Sequence, residues 1–157
     1  MTVSIVADDS GWDAIPDLEK LARRAAHAAL WGAYSGPQSV SLAILFTGDA
    51  AVAEINRQWR GQAKPTNVLS FPAPAGPPVP EGEPRPLGDI VLGFGTVARE
   101  AEEQGKPLPH HATHLIVHAV LHLLGQDHET ETEAEIMEAL ERTILKQLGI
   151  ADPYERH

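Results

Sequence analysis

Val40-Ser41-Leu42-Ala43-Ile44-Leu45-Phe46-Thr47-Gly48-Asp49-Ala50-Ala51-Val52-Ala53-Glu54-Ile55 changes its hydrophobic period halfway along. Val40, Leu42, Ile44 and Phe46 alternate, which places four bulky side chains on one face of a half-buried strand. Gly48-Asp49 turns the chain. Val52, Ile55 and Trp59 then recur at helical spacing, with Asp49 placed to cap the helix start. A strand that passes at once into a helix points to an α+β domain.

The same reading extends outward. Val3 and Ile5 suggest a short first strand. Residues 17–30 carry Leu18, Leu21, Ala22, Ala25 and Ala29 on one helical face, with Gly32 as the expected stop. Residues 67–71 look like a strand. The segment 72–88 holds most of the chain's 13 prolines, and so many missing N–H donors predict a long surface loop rather than a helix or an inner strand. A strand over 90–94 and a short helix over 96–103 follow. Pro109 opens a histidine-bearing helix that runs to about residue 124. Thr130 and Glu133 match a capping box. It starts a last helix expected to turn Ile136, Leu140, Ile144 and Leu148 inward and to end at Gly149. The sum is one α+β domain over 1–157: a mixed sheet of about four strands with about five helices, and a zincin-like metal site on a late helix.

Composition narrows the chemistry. The chain of 157 residues has no cysteine, so any metal must be held by His, Asp or Glu. The first residues lack a basic stretch followed by an apolar run, and no segment approaches the roughly 18 apolar residues of a membrane span. A cytoplasmic protein is expected. The net charge is -10, from 12 basic and 22 acidic residues. That speaks against a broad nucleic-acid surface but leaves room for a small phosphate site. Much of the acid lies between residues 129 and 141, read as the solvated face of the last helix.

His118-Ala119-Val120-Leu121-His122-Leu123-Leu124-Gly125-Gln126-Asp127-His128 carries the function. His118 and His122 are one helical turn apart, so their rings project from one face. Gly125 can reverse the chain and bring His128 back over them. Three neutral imidazoles would hold a zinc ion and leave a fourth position for water. His114 lies on the same face one turn earlier. It could replace a ligand, but it fits better as a structural or orienting residue. Asp127 and Asp89 are candidates to orient the metal-bound rings.

Two chemistries share this spacing. Zinc endopeptidases use a His-Glu-x2-His-x2-Gly-x2-His frame, but Ala119 stands where their general-base glutamate belongs. Metal-dependent phosphodiester hydrolysis needs no base at that position. It needs a cation for the charge that builds on phosphorus, and Arg60 is the best candidate.

Pro65-Thr66-Asn67-Val68-Leu69-Ser70-Phe71-Pro72, then Leu87-Gly88-Asp89-Ile90, then the stretch 118–128, occur in that order. Together they resemble the bacterial YbeY family of metallo-endoribonucleases over nearly the whole chain. The resemblance implies zinc on His118, His122 and His128, a functionally important Arg60, and cleavage of single-stranded RNA. It further implies maturation of the 16S rRNA 3′ end, ribosome quality control, and the small ribosomal subunit and its proteins as partners. A monomer and no membrane contact are expected. Ala119 and Gln126 depart from the Gly and Tyr usual in the family. The nucleophile stays open between a metal-activated water and the substrate's own 2′-hydroxyl. Also open are a non-catalytic zinc-containing assembly factor and a metal hydrolase for a non-RNA substrate.

Overall fold

The computed structural model describes residues 1–34, 39–74, 79–80, 82–125 and 130–154. Among them are four strands and five α-helices. They run β1 (Thr2–Ala7), α1 (Leu18–Ala33), β2 (Val40–Thr47), α2 (Asp49–Arg60), β3 (Val68–Pro72), β4 (Arg85–Gly93), α3 (Phe94–Glu103), α4 (Leu108–Leu123) and α5 (Glu131–Gln147). A 3-10 turn at Ser10–Ala14 precedes α1. The sheet order is β1-β2-β4-β3. β1, β2 and β4 are mutually parallel, and β3 runs antiparallel beside β4. The expected α+β class and element numbers hold.

The alternation in β2 explains the layering. Val40, Leu42, Ile44 and Phe46 join Ile90 and Leu92 of β4 in the main core. That face is covered by α4, which also packs against α1, α3 and α5. On the other face Val52 of α2 meets Leu69 and Val91, with Leu45, Ile55 and Phe71 around them. Most of α4 is buried: Ala112, Leu115, Ile116, Val117, Ala119, Val120 and Leu121 all lie in the core. A helix apolar on most of its circumference belongs at the centre of a domain. The histidines of α4 therefore stand on a helix packed at the centre of the fold.

Several local expectations are corrected. Asp49 does not cap its own helix; Gly48 takes that position. Its carboxylate instead accepts from the Thr96 N–H at 2.9 Å and the Thr96 hydroxyl at 3.1 Å, tying α2 to the first turn of α3. Gly32 does not stop α1, which continues to Ala33. Its missing side chain lets α5 approach, because a Cβ there would stand 2.9 Å from Ile144.

The loop predicted over 72–88 is shorter than expected. Pro72 closes β3, and β4 already begins at Arg85. Pro86 fits inside an inner strand because β3 has ended opposite Gly88, and the register against β2 slips between Ser41 and Leu42. Its missing donor is therefore not needed on the β3 side. In α5, Ile136 is 53% exposed, whereas Met137, Glu141, Ile144 and Leu145 are buried. Ile144 lies in the core and Leu140 and Leu148 pack against it as expected, so only Ile136 fails, its place taken by Met137, and Glu141 does not belong to a solvated face.

Gly88 is where β3, β4 and the end of α4 meet. It has φ 147, and a Cβ would lie 2.1 Å from the Phe71 carbonyl oxygen and 3.0 Å from the Leu123 side chain. Gly88→Ala is expected to cost more than the roughly 1–3 kcal/mol of an unfavourable backbone region alone, because the backbone oxygen cannot yield as a side chain can. Urea unfolding of the variant checks this; a loss below about 1 kcal/mol would contradict it.

Candidate active site

A cleft of about 520 Å³ opens between α4 and β3. Its α4 wall carries His114, His118, Ala119 and His122, and its β3 wall carries Asn67, Val68, Ser70 and Pro72. Arg60, Tyr154 and the apolar Leu115 and Leu123 complete the lining. The histidines sit there because α4 buries its apolar residues against the sheet and α1, leaving the spacing 114/118/122 on the strip that faces β3. Period 2 in β3 does the rest: Val68, Ser70 and Pro72 turn toward the cleft, while Leu69 and Phe71 turn to the α2 side.

His118 and His122 stand with ring centroids 4.8 Å apart. The structure thus brings together two of the three expected metal ligands. His128 and the orienting candidate Asp127 lie outside the described residues, as does Gln126. Among the described residues no group of three or more His, Cys, Asp or Glu side chains is placed to hold a metal. The donor chemistry present does suit zinc: two imidazoles one turn apart on a rigid helix, one of them anchored from behind.

That anchor is Glu141, which sequence reasoning missed. It is fully buried in the middle of α5. Its Oε1 accepts from Nδ1 of His118, and its Oε2 is 3.3 Å from Nε2 of His114. The Tyr154 hydroxyl donates to the same Oε2. Burial pushes the carboxyl upward, but the hydrogen bonds from His114, His118 and Tyr154 outweigh it and lower Glu141 to about 2. Burial, reinforced by Glu141, pushes the Tyr154 phenol up. Glu141 is thus an anion at any working pH, and too weak a base to take a proton from substrate.

Arg60 arrives by a different route. α2 ends on it because Gly61 follows in the left-handed conformation, φ 71, with its N–H on Arg57 O at 3.1 Å. Buried Asn56 donates to Lys64 O at 3.1 Å and so fixes the segment that leads into β3. Arg60 is exposed at the cleft and pairs with no carboxylate among the described residues. Asn67, on the opposite wall, is held by Glu100 at 3.0 Å, which also meets Nε2 of His111 at 2.9 Å. Asp89, expected near the metal, is exposed on the other face of the sheet, in a groove with Trp59 and Phe71. The alternation of β4 turns it away from α4.

A family model described as Endoribonuclease YbeY matches residues 8–149. The chain belongs to the YbeY family. Relatives named Endoribonuclease YbeY include one from Chelativorans sp. (strain BNC1), 53% identical over 98% of this chain and 93% of its own length. Others come from Rhodopseudomonas palustris (strain BisA53), 50% identical over 97% and 88% of the two chains, and from Azorhizobium caulinodans, 47% identical over 98% and 96%. A solution structure from Thermotoga maritima shares the fold with a TM-score of 0.57, at 22% identity, over 99% of this chain and 100% of that one. Within this YbeY chain the match spans both walls of the cleft, from α2 and β3 to α4 and α5.

Behind the α4 wall, His111 is buried beside Glu100. Burial lowers its pKa from the ordinary 6.5, against the opposing pull of Glu100; His114 and Lys106 add to the lowering. A depressed folded value means that the unfolded chain takes up the proton first. The contribution of neutral His111 is complete above about pH 6.5 and is lost as pH falls through its lower folded value. His111→Gln is expected to flatten the decline of unfolding free energy between pH 7.5 and 5.5, by up to about 1.4 kcal/mol per pH unit. Parallel declines in wild type and variant would contradict this.

Proposed function

We propose that the chain is a zinc-dependent endoribonuclease specific for single-stranded RNA. We propose that it acts in maturation of the 16S rRNA 3′ end and in ribosome quality control. One observation carries this reading: in a chain of the YbeY family, the imidazoles of His118 and His122 and the guanidinium of Arg60 line one cleft. His118, His122 and His128 would hold one zinc ion. When bound, zinc polarises a phosphoryl oxygen and lowers the pKa of a water from 15.7 to about 7.

The chain's own residues supply the rest. Arg60 offers parallel N–H donors that match a phosphate, and with no carboxylate paired to it among the described residues it is available to substrate. It binds the scissile phosphate and stabilises charge as the phosphorus becomes five-coordinate. Among the described residues no carboxylate lines the cleft, and the position of the protease glutamate is taken by an alanine. Ala119, at that position, is buried in α4.

The acidic balance of the chain leaves little general affinity for RNA. Contacts with the small ribosomal subunit and its proteins would deliver the cleft to its target. No helix among the described residues is long and apolar enough to cross a membrane; we assign the protein to the cytoplasm, as a monomer of one domain over 1–157.

The test is cleavage of end-labelled RNA, single- and double-stranded, with and without chelator, followed by analysis of the product ends. Chelator-sensitive cleavage confined to single strands is expected. A 5′-phosphate on the products would exclude attack by the 2′-hydroxyl, whereas a cyclic phosphate would establish it. Chelator-sensitive cleavage of a peptide library, with RNA untouched, would sink the proposal.

A further inference from the structure

We propose that Glu141 and Tyr154 are positioning residues that hold His118 in the ring orientation and tautomer required of a metal ligand. The segment following α5 thereby becomes part of the metal site. This rests on the reading of His118 as a zinc ligand.

Glu141 is 0% exposed, yet among the described residues no lysine or arginine pairs with it. A buried carboxylate in that situation depends on hydrogen-bond donors. Three supply them: His118 through Nδ1, His114 through Nε2 and Tyr154 through its hydroxyl. A carboxylate can only accept. The proton of neutral His118 therefore sits on Nδ1, which assigns metal binding to Nε2 and sets the plane of the ring.

Tyr154 is not a loose end of the chain. Asp152 accepts the Tyr154 N–H at 2.8 Å and also pairs with Arg142 at 3.0 Å. The Arg142 guanidinium in turn lies over the Tyr154 ring, 5.4 Å from its centroid. Arg142 directly follows Glu141, so one turn of α5 both anchors the returning segment and receives its hydroxyl. The ring meets His114 edge-on, with centroids 5.7 Å apart, and lines the cleft. Loosening that segment removes a donor from Glu141 and lets the carboxylate shift away from His118.

The test uses the full chain as wild type, Glu141→Gln, Tyr154→Phe and His118→Ala. Two readouts are taken besides activity: zinc affinity by chelator competition, and ring-nitrogen chemical shifts of His118 in the metal-free protein. Wild type is expected to carry its His118 proton on Nδ1. Glu141→Gln should weaken zinc binding about 10- to 100-fold, and Tyr154→Phe about 3- to 10-fold. The proposal is overturned by a His118 proton on Nε2 in the wild type. It is equally overturned if Glu141→Gln and Tyr154→Phe bind zinc like the wild type while His118→Ala does not, an outcome that leaves the metal site standing. Wild-type zinc affinity in His118→Ala removes both the metal site and this proposal. Should Glu141→Gln fail to fold, Tyr154→Phe, which loses one hydroxyl, and the wild-type tautomer decide.

Discussion

Arg60→Ala is expected to slow cleavage of single-stranded RNA by about 10²- to 10³-fold, the loss typical of one preorganised donor to a developing oxyanion. The fold should survive. Arg60 is exposed and makes no ion pair among the described residues, so its removal strands no buried charge. It lies in the last turn of α2 together with Arg57. Losing one cation from a helix C-terminus costs only about 0.3–1 kcal/mol, and alanine is the better helix former. Arg60→Lys keeps the charge but not the planar fork, and should fall between wild type and alanine. The measurement is kcat/KM on a labelled oligoribonucleotide, with thermal melting and zinc content as controls. A variant within a few-fold of wild type would make Arg60 an ordinary surface residue.

His122→Ala is expected to lose both bound zinc and activity, the latter by about 10³-fold or more, equivalent to roughly 4 kcal/mol of barrier. His122 is the natural place for this test because its ring is half-buried at the end of α4, beyond the fully buried stretch Ala119–Val120–Leu121. Alanine there removes a ring from the cleft without opening a cavity in the main core, so lost function should not be mistaken for lost structure. Zinc content by elemental analysis should fall from about one ion per chain to near zero, while the far-ultraviolet dichroism stays at the wild-type level. Retained zinc with lost cleavage would shift His122 from metal ligand to substrate contact.

Much of this architecture was legible because local signals were unambiguous. The change of period between Phe46 and Val52 marks β2 and α2. The N-cap half of the expected capping box forms: the Thr130 hydroxyl accepts from the Glu133 N–H at 3.1 Å, while the Glu133 carboxylate accepts from that hydroxyl at 3.0 Å rather than from the Thr130 N–H. The rows of β3 and α4 that face one another follow from periods of 2 and 3.6. What could not be read depended on contacts across the fold. Asp49 looks like the cap of its own helix, and only the packing of α2 beside α3 turns it to Thr96. Pro86 argues against an inner strand until the early end of β3 is known.

Glu141 was readable in part. Met137, Glu141, Ile144 and Leu145 recur at i, i+4, i+7 and i+8, so a carboxylate stands on what the spacing marks as an apolar stripe. A charged residue on such a stripe signals a buried partner. The signal was hidden by the surrounding glutamates and by Ile136, whose spacing to Leu140 marks an equally good apolar row beside Met137. That the partner is His118 follows only from the way α5 crosses α4.

The most direct test of the central claim, that this cleft is a metal-dependent ribonuclease centre, is a side-by-side assay of wild type and His118→Ala. Both should be purified without a histidine tag and given the same labelled single-stranded RNA, with the mutant controlling for contaminating nucleases. Wild type is expected to cut the RNA, chelator to stop it, and His118→Ala to leave the RNA intact. Equal cleavage by both proteins, or none by either when zinc is bound to the wild type, would contradict the claim and favour a zinc-containing assembly factor without catalytic activity.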